Sequence, residues 1–192
     1  MIFFDLLSKS SFPSSDIIRL SKRFRLKYKN TKIINNLSYT PEPDIFHEIF
    51  GHGPFLTNQK YCTLFKKIGE LGNEIINHSE LSSELIQHNL KRLQNFVWWT
   101  LEFGIISNAS SDYGFEILGA GILSSSDEIN NVISCFNNKN ETTELMKYDI
   151  EEVALTRFDY SKLQDRYFYL DSFEQLVSDF HNNKDLFFYK GN

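Results

Sequence analysis

The stretch that decides how this chain is read is YTPEPDIFHEIFGH, residues 39–52. It holds two prolines, three carboxylates and two histidines, with Glu48 directly after the first histidine. Histidine pairs beside a carboxylate point to a divalent metal. The familiar helical zinc arrangement sets its histidines four apart, on one helix face. His47 and His52 are five apart, and five residues of ideal α-helix turn about 500°, which leaves the pair about 140° out of line. Spacing alone keeps two readings open. Either both are ordinary helix residues with polar neighbours, or Gly51 permits a kink or a local widening of the turn that brings them together. A third ligand can come from NFVWWTLEFGII, residues 95–106, where Glu102 stands inside an apolar run. Carboxylates are seldom buried without a partner. A metal, an Arg or a Lys would serve, and an exposed place on a helix edge is the other reading. Two histidines and one carboxylate around open positions is the arrangement of non-haem Fe(II) oxygenases.

Working outward, 192 residues suffice for one domain with a sizeable core, and residues 1–192 are read as one domain. Hydrophobic residues at 41% and aromatics at 15% give a globular composition. A net charge of −5 argues against nucleic acid as the main partner. No stretch approaches the roughly 18 apolar residues of a membrane span, so no membrane partner is expected. Cys62 and Cys135 lie far apart and make no metal-type pair. No disulfide framework is expected, which suits a reducing cytoplasm. The opening MIFFDLLSKS is interrupted by Asp5 and has no basic flank, so it is read as mature chain rather than a signal peptide.

The chain reads mostly α, with a few short strands. SSDIIRLSKRFRLKY (14–28) has possible caps at Ser14, Ser15 and Asp16 and apolar residues at roughly helical spacing. PDIFHEIFGH (43–52) enters a helix through Pro43 and Asp44. NQKYCTLFKKIGELG (58–72) is a helix ending near Gly72. The longest periodic segment is 79–106, where Ile86, Leu90, Leu93, Val97 and Leu101 would face inward. GAGILSSSDEINNVISCF (119–136) begins as a turn and ends as a helix, with Ser124 and Ser125 as candidate caps. FNNKNETTE (136–144) reads as a loop, RYFYLDS (166–172) as a strand or hairpin arm, and SFEQLVSDFHNN (172–183) as a helix capped by Ser172. Asp44 and Glu48 are the nearest candidates in sequence for hydrogen bonds that steady the histidines.

Four blocks together carry a family resemblance. YTPEPDIFHEIFGHGPFL (39–56) resembles the iron-binding signature of the aromatic amino acid hydroxylases, the phenylalanine, tyrosine and tryptophan hydroxylases. VWWTLEFGII (97–106) resembles the segment that supplies their carboxylate ligand, GAGILSSSDEI (119–129) their active-site loop, and FDYSKLQDRYFYLDSFEQL (158–176) the segment closing their catalytic domain. The resemblance implies a mostly helical catalytic domain holding one Fe(II) at His47, His52 and Glu102. It implies a tetrahydropterin as electron donor, O2 as oxidant and an aromatic amino acid, phenylalanine by family weight, as substrate. Glu48 would lie on the pterin side of the iron as the catalytic and cofactor-binding carboxylate. Thr40, Pro43, Trp98, Phe103, Gly121 and Ser124 would surround the substrate, with plain core packing as the other reading of Trp98 and Phe103.

The pattern departs from the family in three ways. Only 46 residues precede His47, which makes this a short member, and neither a regulatory domain nor an assembly helix is expected. The region of the pterin loop, KSSFPSSDIIRL (9–20), has Ile17 near the place of the stacking aromatic, and Val97 stands where the family usually has Tyr. Lys32 stands where the family holds the substrate carboxylate with Arg, keeping the charge without the bidentate fork. The runner-up is a pterin-independent Fe(II) oxygenase acting on another substrate. A non-catalytic binding protein that keeps the fold is the alternative of a different class.

Overall fold

The computed structural model describes residues 47–137 and 142–191. Ile17, Lys32, Thr40, Pro43, Asp44 and the helix expected over 14–28 lie outside the described residues. So does the middle of the loop expected over 136–144.

The first described segment, His47–His52, is a π-helical turn, followed by a 3-10 turn at Gly53–Thr57. Helix α1 spans Gln59–Ile76 and is started by Asn58, whose side chain accepts from the amides of Lys60 and Tyr61. It runs one turn beyond Gly72, the expected end, because Ile75 is buried and extends the apolar face. Helix α2, Ser83–Val97, is capped by Ser82. Such caps satisfy amide donors that a first turn leaves orphaned. Leu93, Val97 and Leu101 are buried as the periodicity requires, while Ile86 and Leu90 are half-buried against the core. The helix does not run on through Phe103–Ile106. A π-helical turn at Trp98–Glu102 ends it, and Gly104–Ser107 forms strand β1.

Strand β2 (Phe115–Ile117), strand β3 (Glu144–Lys147) and strand β4 (Arg166–Leu170) complete, among the described residues, a four-stranded sheet in the order β2-β1-β4-β3. β1 pairs antiparallel with β2, with Ile105 opposite Ile117. β4 is parallel to both neighbours, with Phe168 opposite Gly104 on one side and Met146 on the other. RYFYLDS is therefore a strand, and β4 is covered by a helix as parallel pairing usually demands. Between β2 and β3 lie α3 (Ala120–Leu123) and α4 (Ser126–Phe136); GAGIL, read as a turn, forms the short helix α3. Ser125, not Ser124, caps α4. Helix α5 (Ile150–Leu155) packs on α2, where Asn95 donates to the Ala154 carbonyl at 2.9 Å. Helix α6 (Phe173–Asn182) is capped by Ser172, as expected.

The core is aromatic. Phe96 meets Phe180 and Phe187 at ring-centre distances of 5.3 Å, and Trp99 lies edge-on to Phe168 while donating to the Thr156 carbonyl. Rings at such spacings add roughly 0.5–1.5 kcal/mol per pair beyond area burial. The segment after α6 returns to α2, where the Asn89 side chain donates to the Tyr189 carbonyl and accepts from its amide. This packing fixes the C-terminal end of α2, and so fixes Glu102. No helix among the described residues is long and apolar enough to cross a membrane.

Candidate metal centre

Both segments that carry the candidate ligands are π-helical. This resolves the spacing of the first pair. A π-helix bonds residue i to i+5, so residues five apart come back to nearly the same face. His47 Nε2 and His52 Nε2 lie 3.2 Å apart. The widened turn is the reading of Gly51 that the structure supports. Gly51 is also constrained from outside, since a Cβ there would lie 2.8 Å from the Ala120 carbonyl oxygen. Helix α3 thus sits directly on the histidine turn. The second π-turn swings Glu102 under the pair. Its Oε2 is 3.4 Å from His47 Nε2 and its Oε1 is 3.2 Å from His52 Nε2. The Glu102 side chain is only 12% exposed, which excludes the exposed helix-edge reading.

The ring nitrogens facing away from this cluster have hydrogen-bond partners of their own. The Ser124 hydroxyl donates to the Ala120 carbonyl at 2.8 Å. Its lone pair therefore faces His47 Nδ1, 2.8 Å away, and that nitrogen carries the proton. His52 Nδ1 lies 3.2 Å from the Tyr61 hydroxyl. Asp44 lies outside the described residues, and the two rings meet Ser124 and Tyr61. Glu48 is half-buried in the same π-turn and raises the proton affinity of His52 through its charge.

With its Nδ1 protonated, His47 turns an Nε2 lone pair toward the Glu102 carboxylate, and His52 Nε2 faces both. Acceptors at such separations repel unless a cation lies among them. Burial works against charge on His52, but the Glu102 carboxylate and its hydrogen bond outweigh it and raise the imidazole pKa. Burial likewise opposes ionisation of Glu102, yet His52 and His47 hold the carboxyl below its ordinary range. A proton can fill the place of the cation. So can a divalent ion, because bonds of about 2.0–2.2 Å bring neighbouring ligand atoms about 3.0–3.5 Å apart. The donor set of two imidazoles and one carboxylate is that of non-haem Fe(II) sites with open positions. Among the described residues, His47, His52 and Glu102 are the group that could hold a metal ion.

The other candidates fall around this cluster. Trp98 stacks on Phe158 at 4.1 Å and leans on Phe103 at 4.7 Å. Its indole N–H donates to Gln164 Oε1 at 3.1 Å. Trp98 is half-buried, whereas Phe103 is fully buried. Gly121 is forced by Phe103, because a Cβ there would lie 2.6 Å from the ring. Val97 is buried in the core at the start of the π-turn. Sequence reasoning missed Tyr61, since an aromatic in a helical apolar face reads as core. It also missed Gln164 and the buried Glu128, whose carboxylate accepts from the Gln164 amide and from Tyr167.

Comparison with known proteins agrees with this geometry. A family described as biopterin-dependent aromatic amino acid hydroxylase matches residues 20–186. Phenylalanine-4-hydroxylase of Caulobacter vibrioides is 32% identical over 91% of this chain and 49% of its own length. That of Ralstonia nicotianae is 31% identical over 91% of this chain and 46% of its own. The chain therefore spans about half the length of the curated relatives it matches. Among solved structures, Chromobacterium violaceum phenylalanine hydroxylase with bound iron(III) and 7,8-dihydrobiopterin has a TM-score of 0.61. It is 31% identical, over 81% of this chain and 51% of that one. The same enzyme bound to iron and phenylalanine has a TM-score of 0.58 at 32% identity, over 77% of this chain and 49% of that one.

Proposed function

The chain belongs to the biopterin-dependent aromatic amino acid hydroxylase family, and we propose that it is a non-haem Fe(II) monooxygenase. Its substrate is an aromatic amino acid, phenylalanine by default, and its co-substrates are O2 and a tetrahydropterin. The observation that carries this reading is the convergence of His47, His52 and Glu102 from two π-turns, with the outer nitrogen of each ring already hydrogen-bonded. These three residues would hold the iron. With a reduced pterin, Fe(II) supplies activation of O2 toward an aromatic ring.

The remaining work falls to the chain. Ser124 holds His47 in the tautomer that leaves Nε2 as a ligand. Trp98, Phe103 and Gly121 offer an aromatic wall beside Glu102 for the substrate ring, and Gln164 fixes the indole. Thr40 and Pro43 would complete that pocket, with Lys32 holding the substrate carboxylate. Replacing Lys32 with Met should raise KM for the amino acid and leave iron content alone; an unchanged KM would remove Lys32 from the site. Glu48 would face the pterin. Ile17 and Val97 offer no ring to stack on it, and a lost stacking contact of about 0.5–1.5 kcal/mol weakens binding about two- to tenfold. The setting we infer is the cytoplasm, which the free thiols of Cys62 and Cys135 suit.

Metal analysis of the purified chain and of His52→Ala, with anaerobic titration of the Fe(II) protein by a tetrahydropterin and a phenylalanine hydroxylation assay, tests the reading. Iron lost in the variant, with pterin-dependent hydroxylation in the wild type, is expected. Equal iron in both proteins would refute the site. Hydroxylation driven by another reductant, with no pterin bound at millimolar concentration, would replace this reading with the pterin-independent one.

A further inference from the structure

The two candidate histidine ligands are held from behind by different chemistry, and the support for His52 is the less expected of the two. Asn58 accepts from the backbone amide of Tyr61 at 3.3 Å and so fixes this residue in the first turn of α1. The Tyr61 ring is 1% exposed. It is stacked on Phe55 at 5.1 Å, Phe65 at 5.7 Å and Phe173 at 6.1 Å, with interplanar angles of 21°, 18° and 25°. Phe65 also lies edge-on to the His52 ring at 5.9 Å. This stack leaves the phenol little freedom to turn, and it holds the hydroxyl oxygen 3.2 Å from His52 Nδ1.

We infer that Tyr61 is a positioning residue for the metal site: its hydroxyl accepts the Nδ1 proton of His52, fixing that ring's tautomer and orientation and thereby how tightly the site holds a divalent ion. The inference rests on His47, His52 and Glu102 being metal ligands. A metal-bound imidazole commonly donates its other N–H to a carboxylate, a backbone carbonyl or water, and loss of such a partner weakens metal binding roughly 10–100-fold. A phenol does the same orienting work without adding negative charge. Glu102 then remains the one carboxylate among the three candidate ligands, and a divalent ion there keeps a net positive charge. The hydroxyl contributes nothing to the ring stack, so orientation of His52 can be separated from packing by experiment.

The test is anaerobic titration of the full chain and of Tyr61→Phe with Fe(II) and with Co(II), reading the dissociation constant and the visible Co(II) spectrum. Tyr61→Phe should bind both ions roughly 10–100-fold more weakly and shift the Co(II) bands. Phe173→Leu removes one of the three stacked rings but keeps the hydroxyl, and should lose clearly less affinity than Tyr61→Phe. Unchanged affinity and spectrum in Tyr61→Phe, or an equal loss in Phe173→Leu, would overturn the inference. Proton NMR of the Co(II)-loaded wild type tests it without any variant: the His52 Nδ1 proton should exchange slowly with D2O, and rapid exchange would overturn it. Failure of the underlying reading looks different. In that case the wild type takes up no ion, or His52→Ala takes up as much, and the inference falls with it.

Discussion

Two buried carboxylates face opposite fates in this molecule. Glu102 lies at the end of a π-turn beside two imidazoles that hold it below the ordinary carboxylate range despite burial. Glu128 lies in α4 with 0% exposure, and there burial wins over its hydrogen bonds to Tyr167 and the Gln164 amide and pushes its pKa up. The residue type is the same and the burial similar, but the partners differ. Cationic partners keep a carboxylate charged and available to a metal. Neutral donors make it a structural hub that is more easily protonated. Here the hub supports the site, because Gln164, fixed by Glu128, in turn fixes the Trp98 indole.

The largest effect should come from removing the charge of the first carboxylate. Glu102→Gln keeps the shape but should lower Fe(II) affinity more than about 100-fold, beyond the loss typical of an outer hydrogen-bond partner. Anaerobic metal titration reads it, and an affinity within a few-fold of wild type would break the contrast. Next in size, Glu128→Ala strands the Tyr167 hydroxyl and the Gln164 amide, and should cost about 2–4 kcal/mol of unfolding free energy. Denaturant unfolding checks this, and a loss under about 1 kcal/mol would mean that water satisfies both donors. Ser124→Ala removes the hydroxyl that faces His47 Nδ1 and should weaken metal binding about tenfold, seen in the same titration as Glu102→Gln.

The smallest effect is the sharpest. A carboxyl whose folded pKa is raised contributes stability below its unfolded value, about 4.3 for Glu, and loses it as pH rises through the folded value. Glu128→Gln stays neutral throughout. The variant should gain on the wild type as pH rises from about 4 toward neutrality. Unfolding measured across that range would show parallel curves if Glu128 had the same pKa in the folded and unfolded states. Glu102 has the reverse sign. Its pKa is lowered, so its contribution is present above about 4.3 and is lost as pH falls through the folded value.

What the sequence revealed follows from how local each signal is. Ser172 and the periodic face of Leu93, Val97 and Leu101 are local, and both are where the sequence placed them. The five-residue histidine spacing looked like a fault in an α-helix, and it becomes regular once the turn is π. Strands β1, β2 and β3 are three or four residues long, too short to show alternation. Tyr61 and Ser124 acquire their roles through contacts across space. The serine hydroxyl meets a histidine 77 residues away, and no spacing rule in one sequence reaches that far.

The order of strands in the sheet bears on how the chain must be made. β4 is an inner strand, between β1 and β3, yet it is the last of these four along the chain. While a ribosome is still extending the polypeptide, β1 and β3 have been released, but the strand that joins them has not. Their inward edges, with unpaired amides and carbonyls, stay open to other nascent chains until Arg166–Leu170 emerges. Pairing across such sequence separations is also slow. The sheet that follows directly on Glu102 is thus completed late in synthesis, and a chain arrested before Arg166 leaves these edges open to aggregation.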